Sequence, residues 1–212
     1  MVIAIDGPSG VGKSTVARGL ATALDLAYLD TGAYYRAVTI AVLAAGVDPA
    51  DATAAAKAAE VADLDFREGR IFLDGRDVSQ EVRSLEVTGA VSAVAAIPDL
   101  RRIVVASQRD WVAARGGRAV VEGRDIGTVV FPDAAIKVFL TADAEVRAAR
   151  RSGDAETSGR SVAEIQQDLR LRDGADSSRP ASPLKPADDA VILDTTEATA
   201  EEVVGRILAM MQ

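Results

Sequence analysis

The chain has 212 residues, 49% of them hydrophobic and 4% aromatic, and a formal net charge of −8. That length suits one α/β domain with a small insert, its core drawn from Ala, Val, Leu and Ile. The acidic balance argues against a nucleic-acid or membrane-surface binder, and the absence of Cys and His excludes disulfides, thiol nucleophiles and imidazole bases or metal ligands.

Val2-Ile3-Ala4-Ile5 reads as a short buried strand. Gly7-Pro8-Ser9-Gly10-Val11-Gly12-Lys13-Ser14 follows, a full match to G-x-x-x-x-G-K-[ST]. Apolar residues then recur at helical spacing (Val16, Ala17, Leu20, Ala21, Leu24), which predicts a helix over 15–25. The motif thus sits between a strand and a helix, where backbone N–H groups and the helix N-terminus converge on phosphate oxygens. Lys13 is placed to reach β- and γ-phosphates and the Ser14 hydroxyl to ligate Mg²⁺.

Ala27-Tyr28-Leu29-Asp30 predicts a second strand, broken by Thr31-Gly32, with a helix over 33–45 and another over 52–63 capped by Asp51. Residues 64–83 change character. Phe66, Ile71, Phe72, Leu73 and Val78 lie among the turn pairs Glu68-Gly69 and Asp74-Gly75, which predicts a small β insert. Helices are expected over 84–96 and 99–114, then strands at 119–122 and 135–140 and a helix over 143–151. The small polar stretch 152–160 has the composition of a lid. A helix over 161–173, a Ser/Pro/Asp-rich loop over 174–189, a strand at 191–194 and a helix over 199–211 complete the reading.

Strands joined by helices imply a parallel sheet, with ligands bound beyond the carboxyl ends of its strands. Gly7–Ser14, Asp30-Thr31-Gly32 and Glu122-Gly123-Arg124-Asp125 are all expected at such ends. A P-loop alone leaves three classes open: a small-molecule kinase, a motor-like ATPase or a nucleotide switch. The chain lacks the Asn-Lys-x-Asp tetrapeptide that reads guanine. Arg36 and Arg124 are candidates for a second phosphate site, against the alternative of solvated surface charges. Arg147, Arg150 and Arg151 share a helix face, either pairing with Asp143 or Glu145 or serving a transferring phosphoryl group.

Three segments together, Asp6–Ser14, Leu29–Arg36 and Gly123–Ala134, resemble the bacterial cytidylate kinases. The likeness continues through Asp77-Val78-Ser79, Glu86-Val87, Arg179 and Pro183-Leu184, so it spans nearly the whole chain. The resemblance implies the nucleoside monophosphate kinase fold over 1–212. Its core would be 1–63 and 84–212 around a five-stranded parallel sheet, with a nucleotide-binding insert near 64–83 and a lid near 152–160. It implies transfer of the γ-phosphoryl of ATP, with Mg²⁺, to CMP and dCMP.

By the same resemblance, ATP binds at Gly7, Pro8, Ser9, Gly10, Val11, Gly12, Lys13, Ser14 and Thr15, and Ser14 faces the metal. Arg36 and Arg124 clamp the acceptor phosphate. Thr31, Arg101, Asp125 and Arg179 read cytosine. Ser92, Arg172 and Asp176 meet the pentose, and Arg147, Arg150 and Arg151 are lid-associated cations. Two positions depart from the family pattern: Thr31 replaces a frequent serine, and Glu122 a common aspartate. Chemistry supports the base assignment. A carboxylate at Asp125 can accept from the exocyclic amine of cytosine but would face a carbonyl in uracil. The alternatives at this stage are an N-cap for Asp125 and a surface salt bridge for Arg179. No apolar stretch reaches transmembrane length and the N-terminus has no signal-peptide pattern, so a cytoplasmic monomer without nucleic-acid or membrane partners is expected.

Overall fold

The computed structural model describes all residues except Asp154, Ala155, Glu156, Ser158 and Gln212. The chain folds as two compact units, one made of Met1–Leu29 with Arg115–Gln212 and the other of Asp30–Ala114.

The first unit is built on a five-stranded parallel sheet. Its strands are β1 (Val2–Asp6), β2 (Ala27–Asp30), β6 (Ala119–Gly123), β7 (Ile136–Thr141) and β8 (Val191–Asp194), in spatial order β2-β6-β1-β7-β8. Ile3, Ala4 and Ile5 of β1 and Ala119, Val120 and Val121 of β6 are fully buried, as unbroken apolar runs require when both faces of a strand are covered. Helix α1 (Lys13–Leu24) turns Val16, Ala17, Leu20 and Ala21 inward, where they share a core with Val203 and Ile207 of α8 (Ala200–Ala209). A fully buried Leu or Ile of this kind contributes about 1.5–3 kcal/mol.

Two further helices complete the unit. α6 is Ala144–Ser152 and α7 is Val162–Ser178. Ser161 and Glu164 form a reciprocal capping box at the start of α7, satisfying N–H groups that the first turn leaves open. A π-helical turn, Ile126–Val130, follows β6 directly.

The second unit contains α2 (Thr31–Ala44), α3 (Ala52–Val61), α4 (Leu85–Val94) and α5 (Pro98–Ala113). Between α3 and α4 lies a separate antiparallel sheet of β3 (Leu64–Arg67), β4 (Arg70–Leu73) and β5 (Arg76–Asp77). Arg67 pairs with Arg70 and Leu73 with Arg76, so each hairpin closes through two residues, Glu68-Gly69 and Asp74-Gly75. All four of those residues have positive φ, the backbone that matches the twist of the flanking strands. Phe66 of β3 packs its ring 6.4 Å from Tyr34 and edge-on at 6.1 Å to Trp111, whose indole N–H donates to the Phe66 carbonyl.

Three local expectations are corrected. Strand β2 ends before Thr31-Gly32, as expected, but the helix that follows starts at Thr31 rather than 33, because Asp30 caps α2 by accepting from the Ala33 N–H at 3.2 Å. Helix α7 runs to Ser178 rather than stopping near 173, so part of the loop expected over 174–189 is helical. The Asp176 side chain there is held by two arginines, and its carbonyl accepts from Leu184 N–H. The π-helical turn was not expected at all. Among the described residues no helix is long and apolar enough to cross a membrane.

Candidate active site

Gly10 and Gly12 take left-handed backbone, with φ of 84° and 89°, and curl the chain from β1 back toward α1. Gly12 is the N-cap of α1 and no side chain caps that end, which leaves it to its backbone amides. Lys13 is buried and its Nζ donates to the Pro8 carbonyl at 2.7 Å, so its ammonium lies across the loop. Burial, then the charge of Arg124, lower its pKa to about 7, with Arg172 adding to the effect and Glu122 and Asp6 opposing it. A polyphosphate laid in the loop supplies the negative charge that favours the ammonium form. Ser14 and Thr15 are exposed on the first turn of α1.

Behind the loop stand the three arginines near the end of α6. Arg147 is buried; it donates to the Ser9 carbonyl at 3.2 Å and pairs with Asp173 on α7. Arg151 reaches Ser9 Oγ at 3.5 Å. Arg150 donates to the Thr195 carbonyl and hydroxyl at 2.6 and 3.1 Å, and that hydroxyl in turn lies 3.0 Å from the Val11 carbonyl. The partners considered from the sequence, Asp143 and Glu145, are replaced by Asp173 for Arg147. The stretch expected as a lid includes Asp154, Ala155, Glu156 and Ser158, which lie outside the described residues. Next to it, Thr157 Oγ1 donates to the Arg151 carbonyl.

The parallel register of β1 and β6 sets Asp6 opposite Gly123, which brings the end of β6 beside the P-loop. Glu122 is buried and accepts from the Tyr28 hydroxyl at 2.5 Å. Arg124 Nε donates to Asp176 Oδ2 at 3.0 Å. The other oxygen of Asp176 lies 3.4 Å from Arg179 NH2, so one buried carboxylate joins two cations of the expected acceptor site. Arg179 is buried, not the surface ion pair weighed as an alternative. Asp125 is buried at the N-cap of the π-helical turn, yet its side chain does not cap that turn. Arg172 is half-buried on α7.

The second unit carries the other expected residues. Thr31 is buried at the first position of α2. Arg36, one turn on, donates through NH1 to the Val82 carbonyl at 2.8 Å and to Thr88 Oγ1 at 2.9 Å. Ser92 is half-buried one turn beyond Thr88 on α4. Arg101 is buried on α5, donates to the Ala95 carbonyl at 2.9 Å and sits 5.1 Å from the Tyr35 ring centroid.

Residues with defined partners here that carried no role in the sequence reading include Asp6, Tyr28, Thr88, Asp173 and Thr195. Asp6 alone gave a signal, as a charged residue at the end of a buried strand immediately before the P-loop. Among the described residues no three acidic side chains cluster as a metal cage. Mg²⁺ does not need one, since it keeps water and phosphate oxygens with one or two protein ligands.

A P-loop after the first strand of a five-stranded parallel sheet, with arginines drawn up behind the loop, defines a P-loop phosphotransferase. The cytidylate kinase family model matches residues 3–212. A cytidylate kinase from Streptomyces griseus is 49% identical over 216 residues, covering 100% of this chain and 93% of the relative. One from Nocardia farcinica is 52% identical over 215 residues, covering 98% and 91%. At the level of fold alone, a gluconokinase from Sinorhizobium meliloti superimposes with a TM-score of 0.50 at 16% identity, covering 98% of this chain and 89% of that one. The chain belongs to the cytidylate kinase family.

Proposed function

We infer that the chain transfers the γ-phosphoryl group of ATP to CMP and dCMP, giving CDP and dCDP. Family membership over essentially the whole length carries this reading. The buried carboxylate of Asp125, unused for capping, supports the choice of base.

The reaction is a direct displacement. An acceptor phosphate oxygen attacks the γ-phosphorus and the bond to the β-bridging oxygen breaks. The acceptor oxygen is already ionised near neutral pH, so no side chain need remove a proton. The work left to the protein is positioning and charge stabilisation. The P-loop amides from Gly7 to Ser14, with Thr15, hold the donor, and Lys13 turns from the Pro8 carbonyl to the β- and γ-oxygens. Arg147, Arg150 and Arg151 fix the far side of the loop and supply positive charge as it spreads over the transferring group. The lid excludes water that would otherwise take the phosphoryl.

Mg²⁺ fits this arrangement: the exposed Ser14 hydroxyl would hold it. When bound, it would neutralise negative charge on the donor phosphates.

Arg124, oriented by Asp176, binds the acceptor phosphate, and Arg36 is assigned to it as well. Asp125 accepts from the cytosine amine, with Arg179, Arg101 and Thr31 donating to the ring acceptors. Ser92, Arg172 and Asp176 are assigned to the pentose. We take residues 64–83 as the nucleotide-binding insert.

ADP release measured with CMP, dCMP, UMP and AMP tests the reading, and preference for UMP or AMP overturns the base assignment. Asp125→Ala is expected to lower the CMP-over-UMP ratio of kcat/KM roughly ten- to a hundredfold, the cost of an unmet polar group. An unchanged ratio removes Asp125 from base recognition.

A further inference from the structure

The two carboxylate oxygens of Asp6 each accept one backbone N–H: Oδ1 from Ile126 and Oδ2 from Gly127, both at 2.8 Å. These are the first two amides of the π-helical turn, groups that a helical start leaves without internal partners. Asp125 occupies the N-cap position, from which a side chain would ordinarily reach the second of them, Gly127, and it does not do so. A residue about 120 positions away in sequence performs the capping instead.

Asp6 is also the last residue of β1, opposite Gly123 in the register and bonded to the first P-loop residue. The donor loop and the Arg124-Asp125 pair therefore meet at one buried side chain. Gly127 makes the fit close: a Cβ there would lie 3.4 Å from Asp6 Oδ2 and 3.1 Å from Lys137 Cδ.

We propose that Asp6 is a positioning residue for acceptor specificity, capping the Ile126–Val130 turn in place of Asp125 so that the Asp125 carboxylate is kept for the base of the acceptor nucleotide. This rests on the reading that Asp125 meets that base. The charged groups acting on Asp6 are Asp125, which faces it with like charge, and Lys13, which opposes that effect. Removing the acceptor that holds the Gly127 amide frees that amide and lets Asp125 cap it, at the expense of the base.

The experiment compares Asp6→Asn, Asp125→Ala and the parent chain, with CMP and UMP at saturating ATP. Amide hydrogen exchange at Ile126 and Gly127 is followed by NMR in the unliganded proteins. For Asp6→Asn we expect faster exchange at those amides and about a tenfold loss in the CMP-over-UMP ratio of kcat/KM, the loss appearing mainly in KM for CMP. ATP affinity is expected to change less than about threefold, well below the cost of a lost charged hydrogen bond. A purely structural role would alter stability and leave the ratio in place. An unchanged ratio in Asp6→Asn beside an eroded one in Asp125→Ala overturns the proposal alone; an unchanged ratio in both overturns the base reading and the proposal with it. Should Asp6→Asn not fold, Asp6→Glu keeps the charge but shifts both acceptor oxygens from the Ile126 and Gly127 amides. A smaller loss in the same ratio is then expected, and no loss overturns the proposal.

Discussion

The Tyr28 hydroxyl donates to Glu122 Oε1 at 2.5 Å, linking the buried carboxylate at the end of β6 to the neighbouring strand β2. The outer face of the same ring carries the Arg18 guanidinium, 4.3 Å from its centroid. Glu122 is longer by one methylene than an aspartate, and the phenol gives that extra reach a fixed endpoint. Tyr28→Phe keeps the ring and removes the donor. Losing that hydrogen bond is expected to cost about 1–2 kcal/mol. In a chain of this length that lowers Tm by roughly 2–8 °C, read by calorimetry.

Lys13→Met should separate stability from turnover. In the folded protein burial holds the Lys13 pKa at about 7, against the ordinary 10.5. Between those values the unfolded chain binds the proton more tightly, so this residue makes the protein more stable as pH rises from 7 toward 10.5. The variant is expected to melt above the parent at pH 6–7, with the gain shrinking by pH 10, in scans without nucleotide. Its kcat should fall by about 10²–10³, as for loss of a group that stabilises transition-state charge.

Asp6 has the opposite dependence. Burial, only partly offset by the Gly127 and Ile126 amides, raises its pKa to about 6 from 3.8. Over that window the folded protein binds the proton more tightly, so the contribution of Asp6 to stability falls as pH rises from 4 to 6.5. Asp6→Asn has no such titration. Its stability relative to the parent should improve by about 2–3 kcal/mol across the window, measured by urea titration at each pH. A flat difference would show that the carboxyl titrates at its ordinary value.

Asp173→Asn tests the support of the donor loop. The Asp173 carboxylate pairs with Arg147, which also holds the Ser9 carbonyl. Losing the charge leaves a buried guanidinium with a weaker partner, at a cost of about 1–3 kcal/mol. We expect KM for ATP to rise about five- to tenfold, the share of that cost that reaches the donor loop, while KM for CMP stays within about twofold. Equal rises in both would assign Asp173 to the fold as a whole.

The legible and illegible parts of this chain divide by range of interaction. Glu68-Gly69 and Asp74-Gly75 announce two-residue hairpins because their preference is local, and the P-loop motif is legible for the same reason. The end of α7 is not. Gly174, Asp176, Ser177 and Ser178 are poor helix formers, and the Asp176 bond to Arg124 spans 52 positions. The π-helical turn depends on an oxygen about 120 positions upstream. Arg147 likewise passes over nearby Asp143 and Glu145 for Asp173, 26 positions away. Residue types at the site could be read from the sequence, but the pairing among them could not.

Gly7 and Gly10 have a mechanical consequence. A single carbon added at Gly7 would sit 2.3 Å from the Leu140 carbonyl oxygen, and one at Gly10 would sit 3.0 Å from both Cβ and the carbonyl oxygen of Arg147. The rear of the anion cradle is therefore seated on β7 at one point and on α6 at another, with no slack for even a methyl group. Recoil against an incoming polyanion has to displace a strand end or a helix, so the cradle resists being pushed backward and keeps its amides aimed outward.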